Sequence, residues 1–75
     1  MYNNNYFKVS PMNAREIALA EVHAHAAEFT WQKLVDNNGL PMYELRLNVN
    51  GMDYSLCIDA ISGEVLGFMS EPLAA

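Results

Sequence analysis

The chain holds a single cysteine among its 75 residues. That excludes an internal disulfide framework and a Cys-rich zinc site. The free thiol of Cys57 suits a reducing compartment but does not require one. Basic residues are scarce too. Four Lys and Arg stand against nine Asp and Glu, a net charge of −5. Nucleic acid and anionic membrane surfaces both call for a basic patch, so neither is an expected partner. No stretch approaches the ~18 consecutive apolar residues of a membrane span, which argues against membrane insertion. The first eight residues, Met1-Tyr2-Asn3-Asn4-Asn5-Tyr6-Phe7-Lys8, contain no apolar run, so no signal peptide is read there. There is no Asn-x-Ser/Thr acceptor either.

Apolar residues, by contrast, are abundant. They make up 52% of the chain while charged residues make up 17%, which excludes wholesale disorder. This length allows one domain. Such a domain buries about 60–65% of the surface its unfolded form exposes, and its core supplies only ~3–5 kcal/mol of net stability. An enclosed active site with a supporting shell is hard to house in that space.

Residues 1–9 read as a polar N-terminal segment, with Tyr6-Phe7-Lys8-Val9 able to add a short edge strand. Ser10-Pro11 is a helix start, with Ser as N-cap and Pro at the first helical position. Asn13 with Glu16 is a competing capping-box signal one turn later. Residues 12–27 are rich in Ala, Leu, Glu and Arg without Gly or Pro, which predicts a helix. Ala18, Leu19, Val22 and Ala26 share one apolar face of it. Ile17, Ala20, Ala24 and Ala27 form a smaller stripe opposite, either helix-favouring surface alanine or a partner surface.

The period then changes to two. Phe29 to Val35 predicts a strand, and Asp36-Asn37-Asn38-Gly39 a turn. From Pro41 a second strand runs with Tyr43, Leu45, Leu47 and Val49 on one face and Glu44, Arg46 and Asn48 on the other. Asn50-Gly51 is a two-residue hairpin signal. Met52, Tyr54, Leu56 and Ile58 continue inward, with Asp53, Ser55 and Cys57 outward. The hairpin sets Leu47 opposite Tyr54, Leu45 opposite Leu56 and Tyr43 opposite Ile58. It also sets Arg46 opposite Ser55 and Glu44 opposite Cys57. Asp59 to Gly63 is the last turn, with Asp59 accepting backbone N–H groups and Gly63 at positive φ. Glu64 to Met69 is the final strand, followed by a tail. Gly39, Gly51, Asp59 and Gly63 are thus the structural turn residues. Short hairpins force antiparallel neighbours. The expected fold is α+β: one N-terminal helix packed on a four-stranded antiparallel β-meander. It occupies residues 10–70, with 71–75 as the tail.

Chemistry-bearing constellations are few. Glu21, His25 and Glu28 share a face of the predicted helix and could hold a divalent ion, although a solvated polar face explains them as well. Asp36 to Gly39 resembles a calcium-loop fragment but lacks the acidic spacing and closing Glu. Ser62 and Asp59 sit in a turn without a nucleophile-elbow pattern. Cys57 has no predicted neighbour to lower its pKa. No phosphate loop or dinucleotide fingerprint occurs. The residues point to no catalytic site, no metal and no cofactor.

Four segments in order resemble the PepSY domain family of peptidase propeptides and a spore-cortex regulatory protein of bacilli. They are Ala14-Arg15-Glu16-Ile17-Ala18-Leu19-Ala20, Gly39-Leu40-Pro41-Met42-Tyr43-Glu44-Leu45, Gly51-Met52-Asp53-Tyr54, and Ile58-Asp59-Ala60-Ile61-Ser62-Gly63-Glu64-Val65-Leu66. The family pattern is an Ala-rich helix, a strand, a "dG-x-x-x-YEV" strand, a "G-x-x-Y-x-x-x-I-D-A" strand and a "T/S-G-E-V" turn. The resemblance spans residues 10–68. It implies a helix-plus-antiparallel-sheet unit that inhibits or regulates peptidases, often outside the cytoplasm or at the bacterial cell surface. Three departures stand out, the first being that no signal peptide is read in a sequence whose family is often extracytoplasmic. The outer sheet face carries Arg46, Asn48, Ser55 and Cys57 where the family is often strongly acidic. No peptidase accompanies the domain in this sequence, so restraint in trans is the expected mode. The family supplies no fixed catalytic residues.

The expected function is therefore a non-catalytic protein-binding module whose partner is a peptidase or another protein. The candidate contact strip is Glu44, Arg46, Asn48, Asp53 and Ser55. The alternative is an assembly module working as a homodimer, paired through the second alanine stripe or the sheet edge.

Overall fold

The structure is a computed structural model that describes residues 9–73. Its elements run α1 (Pro11–Glu21), β1 (Glu28–Asn37), β2 (Leu40–Val49), β3 (Met52–Asp59) and β4 (Val65–Pro72). The strands form one antiparallel sheet in the order β1-β2-β3-β4, the α+β meander expected from the turn signals.

Two Asn-Gly pairs build the two tight hairpins. Asn38 (φ 56) and Gly39 (φ 85) join β1 to β2, and Asn50 (φ 51) and Gly51 (φ 81) join β2 to β3. Two successive positive φ values give the turn whose twist matches that of the strands. The Asp36 carboxylate accepts from the Gly39 N–H at 2.8 Å. Because the β2–β3 loop has two residues, its register is forced. Leu47 faces Tyr54, Leu45 faces Leu56, and Tyr43 faces Ile58. The β3–β4 turn is wider. Asp59 accepts from the N–H groups of Ile61 (2.8 Å) and Ser62 (3.2 Å) through one carboxylate oxygen. Gly63 takes φ 84 and donates to the Asp59 carbonyl at 2.8 Å.

Ala14 and Ala18 of α1 form one buried cluster with Tyr43, Leu45, Leu47, Leu56 and Ile58 of the sheet, joined by Val9 and Ala60. Small helix residues against large sheet residues let the helix lie close to the strands. Val9 donates to the Ala60 carbonyl (3.2 Å) and accepts from the Tyr43 hydroxyl (2.9 Å). Val9 itself is not in a strand. The remainder of the suggested edge strand, residues 6–8, lies outside the described residues.

The helix start is at Ser10, whose hydroxyl accepts from the Asn13 N–H at 3.1 Å, and the competing start at Asn13 is not used as a cap. The helix end differs from expectation. The sequence suggests residue 27, yet α1 stops at Glu21 with Val22 as C-cap. His23 adopts φ 57. Its N–H donates to the Ala20 carbonyl (3.2 Å), and the Ala24 N–H donates to the Leu19 carbonyl (3.0 Å). These are the two bonds of a Schellman cap, here with His in the left-handed position usually held by Gly. An 11-residue helix is about 16 Å long, whereas a 10-residue strand is about 33 Å. The helix is thus about half as long as the longer strands. The segment after it places Val22, Ala27 and Phe29 against the core.

Three further expectations change. The second stripe is not a separate surface, because Ile17 packs onto the core while Ala20 is exposed. β1 is longer than Phe29–Val35 and takes in Asp36 and Asn37. The C-terminal tail is shorter, because Ser70 to Pro72 belong to β4 and pair with Tyr54, Asp53 and Met52. Beyond them the Leu73 N–H donates to the Gly51 carbonyl at 2.9 Å.

Candidate protein-binding surface

β1 decides which side chains the outer sheet face presents. Strict alternation would put Trp31 on the same face as Phe29. A bulge at Thr30 breaks it: Phe29 faces Leu47, but the next partner of Arg46 is Trp31. Phe29 therefore packs inward, and Trp31 turns to the face away from the helix, 48% exposed. The extra residue re-aims the side chains that follow it. The Thr30 hydroxyl lies 3.4 Å from the Arg46 carbonyl, which accepts from it.

The same shift turns Gln32 inward, opposite Leu45. There its amide oxygen accepts from Arg15 Nε at 2.6 Å, and its Nε2 donates to the Pro11 carbonyl at 3.0 Å. The Arg15 guanidinium also lies over the Phe29 ring, 4.9 Å from the centroid. One bulge thus fastens the helix start to β1 and sends the tryptophan outward.

On the outer face, rows run across the strands. One is Trp31, Arg46, Ser55 and Met69; the next is Lys33, Glu44, Cys57 and Gly67. Between Trp31 on β1 and Met69 on β4 lies an open groove of about 990 Å³. Gly67 contributes no side chain to the groove lining. A Cβ placed there would meet only the Cβ of Cys57, at 3.7 Å. Met69 is 69% exposed. The space lies on the sheet surface and not inside the core.

Of the five strip residues, Glu44, Arg46 and Ser55 line this groove. Asn48 and Asp53 face each other one pair further toward the Asn50-Gly51 turn, outside its lining. Sequence reasoning missed Trp31, Met69 and Gly67 as groove residues. Only the bulge reveals Trp31. Met69 and Gly67 follow from counting outward from Cys57 along β4. Among the described residues the Arg46 guanidinium has no ion-pair partner.

Two groups titrate away from their ordinary values. Burial pushes the Cys57 thiol up, and the Glu44 charge beside it adds to the shift. The thiol therefore stays protonated at neutral pH, the opposite of an activated nucleophile. Burial raises the Tyr43 phenol as well. The suggested Glu21/His25/Glu28 face does not exist, because the helix ends at Glu21 and Glu28 opens β1. Among the described residues no group of three or more His, Cys, Asp or Glu could hold a metal ion. Nor is any described helix long and apolar enough to cross a membrane.

No family model, curated protein or solved structure matches the chain.

Proposed function

We propose that this chain is a non-catalytic protein-binding module that regulates a peptidase, with the outer sheet face as its contact surface. The observation that supports binding is the uncovered groove, with half-exposed Trp31 and highly exposed Met69 at its sides and Glu44, Arg46 and Ser55 along it. An aromatic anchor and an arginine that has no ion-pair partner among the described residues are of the types that dominate protein interfaces. The peptidase comes from the PepSY resemblance of residues 10–68. The suppressed acidity of Cys57 argues against a thiolate nucleophile at that position. In this reading the domain acts by covering a peptidase cleft.

The test is capture of proteins by the immobilised chain from extracellular and membrane fractions, followed by peptidase assays with and without added chain. Reversing both charges, Glu44→Arg with Arg46→Glu, is expected to slow association while leaving the thermal melt unchanged, because exposed charges steer encounter more than they stabilise. Trp31→Ala is expected to speed dissociation. Undiminished capture and inhibition by all these variants would refute the assignment of this face.

A further inference from the structure

We infer that β4 is a homophilic edge, through which two copies of this chain pair antiparallel about Phe68 into one continuous eight-stranded sheet. The inference does not rest on the peptidase reading; it concerns the rim of the sheet, where Gly67, Phe68 and Met69 also border the groove.

The sheet has two edges, β1 and β4, and they are built differently. β1 carries Glu28, Lys33 and Asp36 along its length and a bulge at Thr30 near its middle. Charges and bulges on an edge strand discourage another strand from adding. β4 has no charged residue from Val65 to Ser70, and its bulge falls at Leu66, near its start. Leu66, Phe68 and Met69 are 43%, 44% and 69% exposed. Among the described residues no strand pairs with the outer side of β4.

The segment is complementary to itself. A two-fold axis normal to the sheet at Phe68 makes an isologous contact. It sets Gly67 opposite Met69 of the second copy, a missing side chain against a long one. It sets Leu66 opposite Ser70 and Phe68 opposite its own copy. Phe68 already packs on Tyr54, ring centroids 5.8 Å apart, so the pairing extends that contact into an aromatic row across both copies. Glu71 lies beyond the paired stretch, toward the uncharged start of the strand in the second copy, so no like charges oppose each other. This matters for a chain of net charge −5, whose copies repel at long range. Self-association needs a charge-free seam, and Val65–Ser70 supplies one. The bulge ends the ladder after about five residues, which makes the dimer weak. Both outer grooves then lie on the same side of the joined sheet.

The experiment is sedimentation equilibrium of the chain over a wide concentration range, at low and high ionic strength. The weight-average mass is expected to rise toward twice that of the monomer with concentration. Added salt is expected to tighten the association by screening the repulsion. Phe68→Lys and Phe68→Glu each place like charges on the axis and are expected to weaken the dimer about tenfold. An equimolar mixture of the two restores it as a heterodimer. Circular dichroism melts establish that each variant is folded. Should Phe68 variants melt early, Ser70→Lys mixed with Leu66→Glu tests the same register at exposed positions. A monomer at all concentrations, a dimer indifferent to these substitutions, or a mixture that fails to restore association would each overturn the inference. A dimer that forms as described without any peptidase effect leaves the pairing intact and refutes only the function proposed above.

Discussion

Gly63 joins two costs that can be separated by experiment. Its φ of 84 lies in the left-handed region, and a Cβ there would sit 3.3 Å from Val9 Cγ2 and 3.4 Å from Ile17 Cδ1. Gly39 has nearly the same φ, 85, with nothing within 4 Å of its would-be Cβ. Substitution at Gly39 therefore reads the backbone cost alone, about 1–2 kcal/mol for a residue with a side chain in this region. At Gly63 the same cost applies, and Val adds methyl groups beyond a Cβ that is already tight. Overpacking of this kind costs about 1–3 kcal/mol. Gly63→Val should thus lose about 2–5 kcal/mol, against ~3–5 kcal/mol for the whole domain. Gly39→Val should lose only the first part. For a domain of this size each kcal/mol moves the Tm by about 4–8 °C, so the two variants should differ by roughly 5–20 °C. Thermal and urea melts by far-UV circular dichroism measure both. Equal losses would refute the packing of Val9 and Ile17 against the turn. No loss at either site would refute the positive φ.

Other perturbations act through different terms. Leu56→Ala, which empties a buried core position, should cost about 2–5 kcal/mol in urea melts. Tyr43 has its folded pKa raised above the usual 10.0 by burial, so the folded state holds its proton more tightly than the unfolded. Its contribution is fully present below the unfolded value and is lost as pH rises through the folded one. Stability should therefore fall on the alkaline side of pH 10. Tyr43→Phe should flatten that fall while losing about 1 kcal/mol at neutral pH with its bond to Val9. His23→Gly should raise stability by about 0.5–1 kcal/mol, because glycine removes the left-handed strain at the helix cap but has more freedom when unfolded. A fall in Tm for that variant would show that the imidazole makes a contact beyond its backbone role.

The β2–β3 hairpin was legible residue by residue. Asn50-Gly51 permits one short turn, and one turn permits one register, so every pair from Tyr43–Ile58 to Leu47–Tyr54 follows. The end of α1 was not legible. Helix propensity stays high through Ala27, and the stop depends on His23 entering a conformation its residue type enters seldom. The bulge at Thr30 was hidden for a related reason. Nothing local asks for an extra residue, and its benefit is tertiary: Gln32 and Arg15 tie helix to strand. That one residue also decides that Trp31 belongs to the candidate surface. The length of β4 was within reach. Once Gly67 opposes Cys57, antiparallel counting carries the ladder to Pro72 opposite Met52.

Strand order that equals chain order has a kinetic consequence. Each strand pair closes a short loop, and such hairpins form in about 1–10 μs. Native contacts of this kind are near in sequence, which favours rapid folding. The exception is the closure of Val9 onto Tyr43, 34 residues away, and onto the still more distant Ala60, with the helix carried along. The sheet can assemble as successive hairpins while these distant contacts wait. Truncations in the Tyr43–Ile58 hairpin should then slow folding, whereas Ala18→Gly in the helix should mainly hasten unfolding. The seam between α1 and the sheet is then expected to close last and open first.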